Sequence, residues 1–110
     1  MSLIINIPRD FTKSPGGRFK KEGDFSGEEF REKILLPKVQ EALNNNLSLT
    51  VELDGGFVYG SSFLEESFGG LARKTKEKRL LKILTIISDE EPELIDDIMK
   101  YIKDGLENGE

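Results

Sequence analysis

The stretch Leu47-Ser48-Leu49-Thr50-Val51-Glu52-Leu53, running through Asp54-Gly55-Gly56 into Gly60-Ser61-Ser62-Phe63-Leu64-Glu65, decides the fold class. Leucine and valine alternate with Ser48, Thr50 and Glu52, the period-two pattern of a strand with one face on a core. Ser62 followed three residues later by Glu65 has the form of a capping box, in which each side chain satisfies an N–H at a helix start. It predicts a helix beginning near Ser62 with Leu64, Phe68, Leu71 and Ala72 on one face. Strand, glycine-rich loop and helix in that order are half of a crossover unit, and they point to an α/β domain.

Downstream, Gly69 and Gly70 interrupt this helix, each at about 1 kcal/mol relative to alanine. Close approach of the helix to the sheet would compensate. Leu81 to Ile87, with β-branched Ile83, Thr85, Ile86 and Ile87, predicts a core strand. A last helix is expected from about Glu90 to Leu106, with Pro92 in its first turn and Leu94, Ile95, Ile98, Ile102 and Leu106 as its buried stripe.

Upstream, Leu3 to Ile7 predicts a strand closed by Pro8, which cannot donate to a ladder. Ser14-Pro15-Gly16-Gly17 reads as a tight turn, followed by a second short strand from Arg18 to about Lys21. Ser26-Gly27-Glu28-Glu29 is another capping box and opens a helix carrying Phe30, Ile34, Val39 and Leu43 at spacings of four to five. Pro37 should kink or divide that helix, and Asn44-Asn45-Asn46 should end it. The expected architecture is a single layered α/β domain over residues 1–110, a mixed sheet of about four strands with three helices. Leu49, Val51, Leu53, Ile83, Ile86, Phe68 and Leu71 should lie in its core.

Composition removes most enzyme classes. There is no cysteine among the 110 residues, hence no disulfide, no thiol nucleophile and no thiolate metal site. There is no histidine either, which removes the commonest general base and the usual serine-hydrolase triad. No catalytic role, cofactor or metal is expected. The apolar runs are too short to cross a bilayer, and Met1 to Pro8 lacks the pattern of a signal peptide, so cytoplasmic residence is expected.

Net charge is −5, yet residues 73–82 carry six basic side chains against Glu77, and residues 89–97 carry six acidic ones with no base. Cations at a helix C-terminus and anions at a helix N-terminus are both favoured by the macrodipole, which accounts for the two runs. Arg73, Lys74, Lys76, Lys78 and Arg79 could also meet an acidic partner. Nucleic acid is not the expected partner of an acidic chain without a basic-aromatic motif.

The remaining chemistry is sparse. Pro15-Gly16-Gly17-Arg18 places an arginine beside permissive backbone, as phosphate cradles do, without the spacing of any nucleotide-binding fingerprint. Asp54, at a strand end beside Gly55-Gly56, reads as a turn residue more readily than as a metal ligand. Ser61 and Ser62 stand at a strand-loop-helix junction, where function in α/β domains often resides and where a helix N-terminus suits a phosphate. Capping alone also explains Ser62.

Pro15-Gly16-Gly17-Arg18, Gly23, Ser26-Gly27-Glu28, Phe30-Arg31, Val51-Glu52-Leu53-Asp54-Gly55, Gly60-Ser61-Ser62-Phe63-Leu64 and Phe68-Gly69-Gly70-Leu71 together resemble the bacterial STAS-like domains of unknown function, over nearly the whole chain. These are similar to sulfate-transporter and anti-sigma-factor-antagonist domains. In the antagonists an acid, two hydroxyl residues and a glycine form a motif phosphorylated by a partner ATPase of the histidine-kinase-like fold. Gly60-Ser61-Ser62-Phe63 takes that place here, keeping both serines and replacing the acid and the glycine. The resemblance implies a signalling domain that binds a protein partner, with Ser62 and Ser61 as phosphorylation candidates. The candidate partner contacts are Gly60 and Phe63 beside these serines, Arg18, Gly16 and Gly17 from the glycine-rich segment, and Arg73 and Lys74 from the basic run. The alternatives are a nucleic-acid-binding or toxin-antitoxin-like accessory protein using residues 73–82, and a small nucleotide-binding enzyme using Arg18 and Ser62.

Overall fold

A computed structural model describes residues 2–108. Strand β1 (Ser2–Asn6) leads into a single turn of helix, α1 (Ile7–Asp10), and a 3-10 turn follows at Lys20–Glu22. The first long helix then runs over 27–44 in three pieces: α2 (Gly27–Phe30), a π turn (Arg31–Leu35) and α3 (Leu36–Asn44). Strand β2 (Ser48–Glu52) is followed by the second long helix, 61–75, made of α4 (Ser61–Leu64), a π turn (Glu65–Gly69) and α5 (Gly70–Thr75). The short α6 (Leu80–Ile83), strand β3 (Leu84–Ile87) and helix α7 (Glu93–Asn108) complete the order.

The sheet has the order β1-β2-β3 and is parallel throughout, with Ile5 beside Val51 and Val51 beside Ile86. Expected instead were a mixed sheet of about four strands and three helices, the first of them kinked or divided at Pro37. The strand expected over Arg18–Lys21 is replaced by the 3-10 turn, because the Glu22 carboxylate accepts from the N–H groups of both Arg18 and Phe19 and draws the backbone round. No reverse turn forms at 14–17 either. Gly16 N–H donates to Phe25 O at 2.8 Å, and Gly27 N–H to Gly17 O at 2.9 Å, so the two glycines lie extended against the entry to α2.

Pro8 sits in the first turn of α1, where its missing N–H costs nothing, and Asn6 caps that turn by accepting from Arg9 N–H at 2.9 Å. The strand expected over Leu81–Ile87 begins only at Leu84. Leu80, Leu81 and Lys82 are good helix formers, and Ile83 N–H closes the turn onto Arg79 O. Ile83 is accordingly half-buried, while Leu49, Val51, Leu53, Ile86, Phe68 and Leu71 are buried as expected.

Both π turns have a legible cause. Pro37 has no N–H to give the preceding turn, and the backbone widens so that Leu36 N–H reaches back five residues to Arg31 O. In the second helix the widened turn ends at Gly69-Gly70, with Gly70 N–H reaching Glu65 O. A π turn advances the buried face by five residues instead of four. Phe30 and Leu35 are thus both fully buried, and so are Phe63 and Phe68.

The two long helices cross where Gly27 meets Phe63. A Cβ at Gly27 would collide with the Phe63 carbonyl oxygen and crowd Ser67 Oγ at 3.1 Å. Ser67 Oγ, wholly buried, lies 2.8 Å from Phe63 O and 3.3 Å from Gly27 O and donates its proton between them. Helix α7 lies along the other flank, where a Cβ at Gly105 would fall 2.7 Å from Gly69 O. Because the obstruction at Gly27 is backbone, Gly27→Ala should lower the unfolding free energy by about 1–3 kcal/mol through overpacking. Denaturant titration with an unchanged slope against denaturant would register this.

Candidate functional site at the C-terminal edge of the sheet

Parallel strands bring all their exits to one edge, where ligands and partners of open α/β sheets usually meet the fold. Here the edge is formed by α1, the loop 53–60 and the segment 88–92. Asp54 fastens two of these exits together. Its Oδ2 accepts from Asp89 N–H at 2.8 Å and its Oδ1 from Glu90 N–H at 2.9 Å, while Glu90 returns an acceptor to Gly55 N–H at 3.0 Å. Asp54 is therefore a clamp between crossovers. Among the described residues, no group of three or more carboxylates is placed to hold a metal ion.

The rest of the loop is pinned from beneath. The Tyr59 hydroxyl donates to Leu53 O at 2.8 Å, and burial, then the nearby Asp54, Glu90 and Glu91, push its pKa above the ordinary phenol value. Phe57 N–H donates to Lys13 O at 2.7 Å. Held at these points, the loop projects Phe57 and Val58 outward, 69% and 77% exposed, the two most exposed large apolar side chains described.

Ser61 and Ser62 follow directly, both exposed. The expected cap at Ser62 is not formed. Gly60 is the N-cap, with its carbonyl accepting from Leu64 N–H, and the serines occupy the first two helical positions. The helix starts earlier because Phe63 and Leu64 must both turn inward, Phe63 stacking on Phe30 at 5.9 Å between ring centres. Among the described residues neither serine hydroxyl makes a hydrogen bond. Ser26, by contrast, does cap its helix, accepting from Glu29 N–H at 3.0 Å, although the Glu29 side chain reaches back to Phe25 N–H and not to Ser26.

One turn below Ser61 lies a charge network absent from the sequence-based expectations. Arg31, only 4% exposed, donates to the Glu66 carboxylate at 2.6 Å and to Glu66 O at 2.9 Å. Its guanidinium rests on Gly70, where a Cβ would collide with it. Gly69 makes similar room for Glu65 and Arg73. These glycines are thus packing glycines, as expected, but they admit side chains instead of the sheet. Arg18 and Arg73 both bind Glu65 and reach Glu66 at 3.4 and 3.7 Å. Burial would raise the Glu65 carboxyl, but the hydrogen bonds from Arg73 and Arg18 outweigh it and hold the group below its ordinary range.

The structure therefore gathers Gly60, Ser61 and Ser62 at one exposed corner and brings Arg18 and Arg73 together one to three turns below it. It separates the other candidates. Phe63 is fully buried and supports the corner from beneath. Gly16 and Gly17 are occupied with the entry to α2. Lys74 is exposed on the α5 surface, outside the network. Phe57 and Val58 were missed, although two large apolar residues between Gly55-Gly56 and Gly60 are a visible anomaly in a polar loop.

Comparison with known proteins bears on the family alone. The chain belongs to the family described as STAS-like domain of unknown function (DUF4325), whose model matches residues 26–94, from the Ser26 cap to the start of α7. No curated protein and no solved structure matches the chain. Among the described residues, no helix is long and apolar enough to cross a membrane.

Two outcomes follow from the caps and the network. Ser62→Ala should change stability by less than about 0.5 kcal/mol, whereas Ser26→Ala should cost about 1 kcal/mol. Paired thermal melts separate them. Because the Glu65 pKa is lower in the folded than in the unfolded chain, its contribution is present above the unfolded value, about 4.3, and is lost as pH falls through the folded one. Glu65→Gln should flatten the loss of stability with acid over that window, as read by denaturation at successive pH values.

Proposed function

We propose that this domain is a non-enzymatic regulatory module of the bacterial cytoplasm that docks a protein partner at the corner formed by Phe57, Val58, Gly60, Ser61 and Ser62. Phosphorylation of Ser62 or Ser61 by an ATPase of the histidine-kinase-like fold switches the complex. The observation that carries this reading is the juxtaposition of two exposed, unbonded serine hydroxyls with the exposed Phe57-Val58 tip, on a loop tied down at Asp54, Tyr59 and Phe57 N–H. A phosphate on either serine would sit at the positive end of helix 61–75, where it is electrostatically tolerated. Its charge and hydration would at the same time occupy the surface against which a partner must desolvate Phe57 and Val58.

Two features weigh against the other readings. The chain lacks histidine and cysteine, and the carboxylate one turn from Ser61 is engaged by two arginines, so neither serine has a base beside it. The basic run 73–82 is partly consumed in the fold: Arg73 binds Glu65, Arg79 binds Glu77 at 3.1 Å, and Lys76 approaches Gly105 O. An electrostatic surface for nucleic acid is correspondingly reduced.

The test is affinity for the partner recovered from the native cell. Ser62→Asp and Phe57→Ser should each weaken the complex about tenfold or more while leaving the thermal midpoint within a few degrees of wild type. Leu81→Ser, which alters an exposed apolar residue elsewhere, should leave affinity unchanged. Wild-type affinity for Ser61→Asp and Ser62→Asp alike would remove the switch, and wild-type affinity for Phe57→Ser would remove the docking corner.

A further inference from the structure

Parallel sheets are ordinarily covered on both faces, and exposed edge strands are usually blunted by charge, proline or a bulge. β1 is covered on one face only, and its edge is blunted only at the C-terminal end, where the Asp10 carboxylate takes the Asn6 N–H. It is an edge of the sheet, its sequence Ser2-Leu3-Ile4-Ile5-Asn6 carries no charge and no proline, and Ile4 at its centre is 51% exposed. Ile4 belongs to the row Ile4, Thr50, Thr85 on the sheet face opposite the core. Main-chain groups of successive residues in a parallel strand point to opposite sides, so those of residues two apart point to the same one. Asn6 N–H is directed away from β2, since it donates to Asp10 Oδ2 at 2.9 Å. The N–H and C=O of Ile4, two residues earlier, therefore face the same open side.

We propose that β1 pairs antiparallel with β1 of a second copy of this chain about a twofold axis at Ile4, joining the two sheets into one of six strands. The strand is self-complementary about that axis. Ile4 meets its own counterpart, exchanging both main-chain hydrogen bonds and packing aliphatic side chain on aliphatic side chain, while Leu3 faces Ile5 and Ser2 faces Asn6. The charges at the C-terminal end of β1 are Arg9, Asp10 and Glu52; Arg9 and Asp10 pair through two hydrogen bonds, which leaves Glu52, bonded to the Asn6 side chain, as the residual charge that added salt screens. At the other edge of the sheet β3 presents Thr85 in the same row and lacks the exposed aliphatic. The interface is separate from the Phe57-Val58 corner, and its test does not depend on that reading.

The experiment is sedimentation equilibrium over rising protein concentration, combined with amide hydrogen exchange at Ile4. The expected result is a monomer–dimer equilibrium that tightens with added salt, as screening relieves repulsion between two chains of net charge −5. Ile4 N–H exchange should slow as the dimer fills, and Ile4→Lys should remain monomeric. Because the chain has no cysteine, Ile4→Cys reads the interface independently should Ile4→Lys fail to fold. Facing Cα atoms at about 5.5 Å lie within disulfide range, so Ile4→Cys should oxidise to a covalent dimer and Thr85→Cys should not. A monomer at every concentration with unprotected Ile4 exchange, or cross-linking through Thr85 in place of Ile4, would overturn the proposal.

Discussion

The structure depends on burying one arginine between two helices. Arg31 leaves helix 27–44 from its π turn, and Glu66 leaves helix 61–75 from the facing one. A guanidinium so deeply buried is tolerable only with a carboxylate and a carbonyl to receive its protons. Glu66 supplies both, through its side chain and its own backbone. The contact requires the backbones to come close, which is why Gly27 lies against the Phe63 carbonyl and Gly70 against the guanidinium itself. Residues far apart in sequence thus fix a single crossing geometry.

That crossing sets the corner at the sheet edge. Helix 61–75 cannot slide or rotate without breaking the Arg31–Glu66 pair, the Phe30–Phe63 stack or the shared hydrogen bond of Ser67. Its first turn, carrying Ser61 and Ser62, is therefore held in place from below. Asp54 and Tyr59 fix the loop in front of it. Arg18 completes the arrangement by tying the segment ahead of α2 to Glu65, one turn beneath the serines. An exposed apolar tip on a rigid support loses little conformational freedom when a partner covers it, which favours recognition at this corner.

Much of this was legible in the sequence, for physical reasons that vary with the element. The alternation of Leu49, Val51 and Leu53 could belong only to a half-buried strand, and the helix stripes of Leu94, Ile98 and Ile102 were equally plain. Where the reading failed, a local signal was outvoted by tertiary contacts. Ser62 had the spacing of a cap, but the need to bury Phe63 and Leu64 moved the cap to Gly60. Gly16 and Gly17 looked like a turn and instead serve a close backbone approach. Leu80 to Lys82 followed their own helix propensity before the β-branched run took over. The Arg31–Glu66 pair could not be read directly, because only the crossing brings the two together. The five-residue spacings from Phe30 to Leu35 and from Phe63 to Phe68 were its trace in the sequence.

The central claim, that the buried Arg31–Glu66 pair holds the two helices in their crossing, is tested most directly by a double-mutant cycle. Unfolding free energies of wild type, Arg31→Met, Glu66→Leu and the double variant would be compared under one set of conditions. Glu66→Leu leaves the buried Arg31 guanidinium without its carboxylate and should cost about 3–5 kcal/mol, whereas Arg31→Met leaves Glu66 the longer contacts of Arg18 and Arg73 and should cost less. The double change should cost less than the sum of the two by about 1–3 kcal/mol, the coupling expected of residues in direct contact. Single costs that add to within about 0.5 kcal/mol would show that the two side chains do not depend on each other, and would contradict the account.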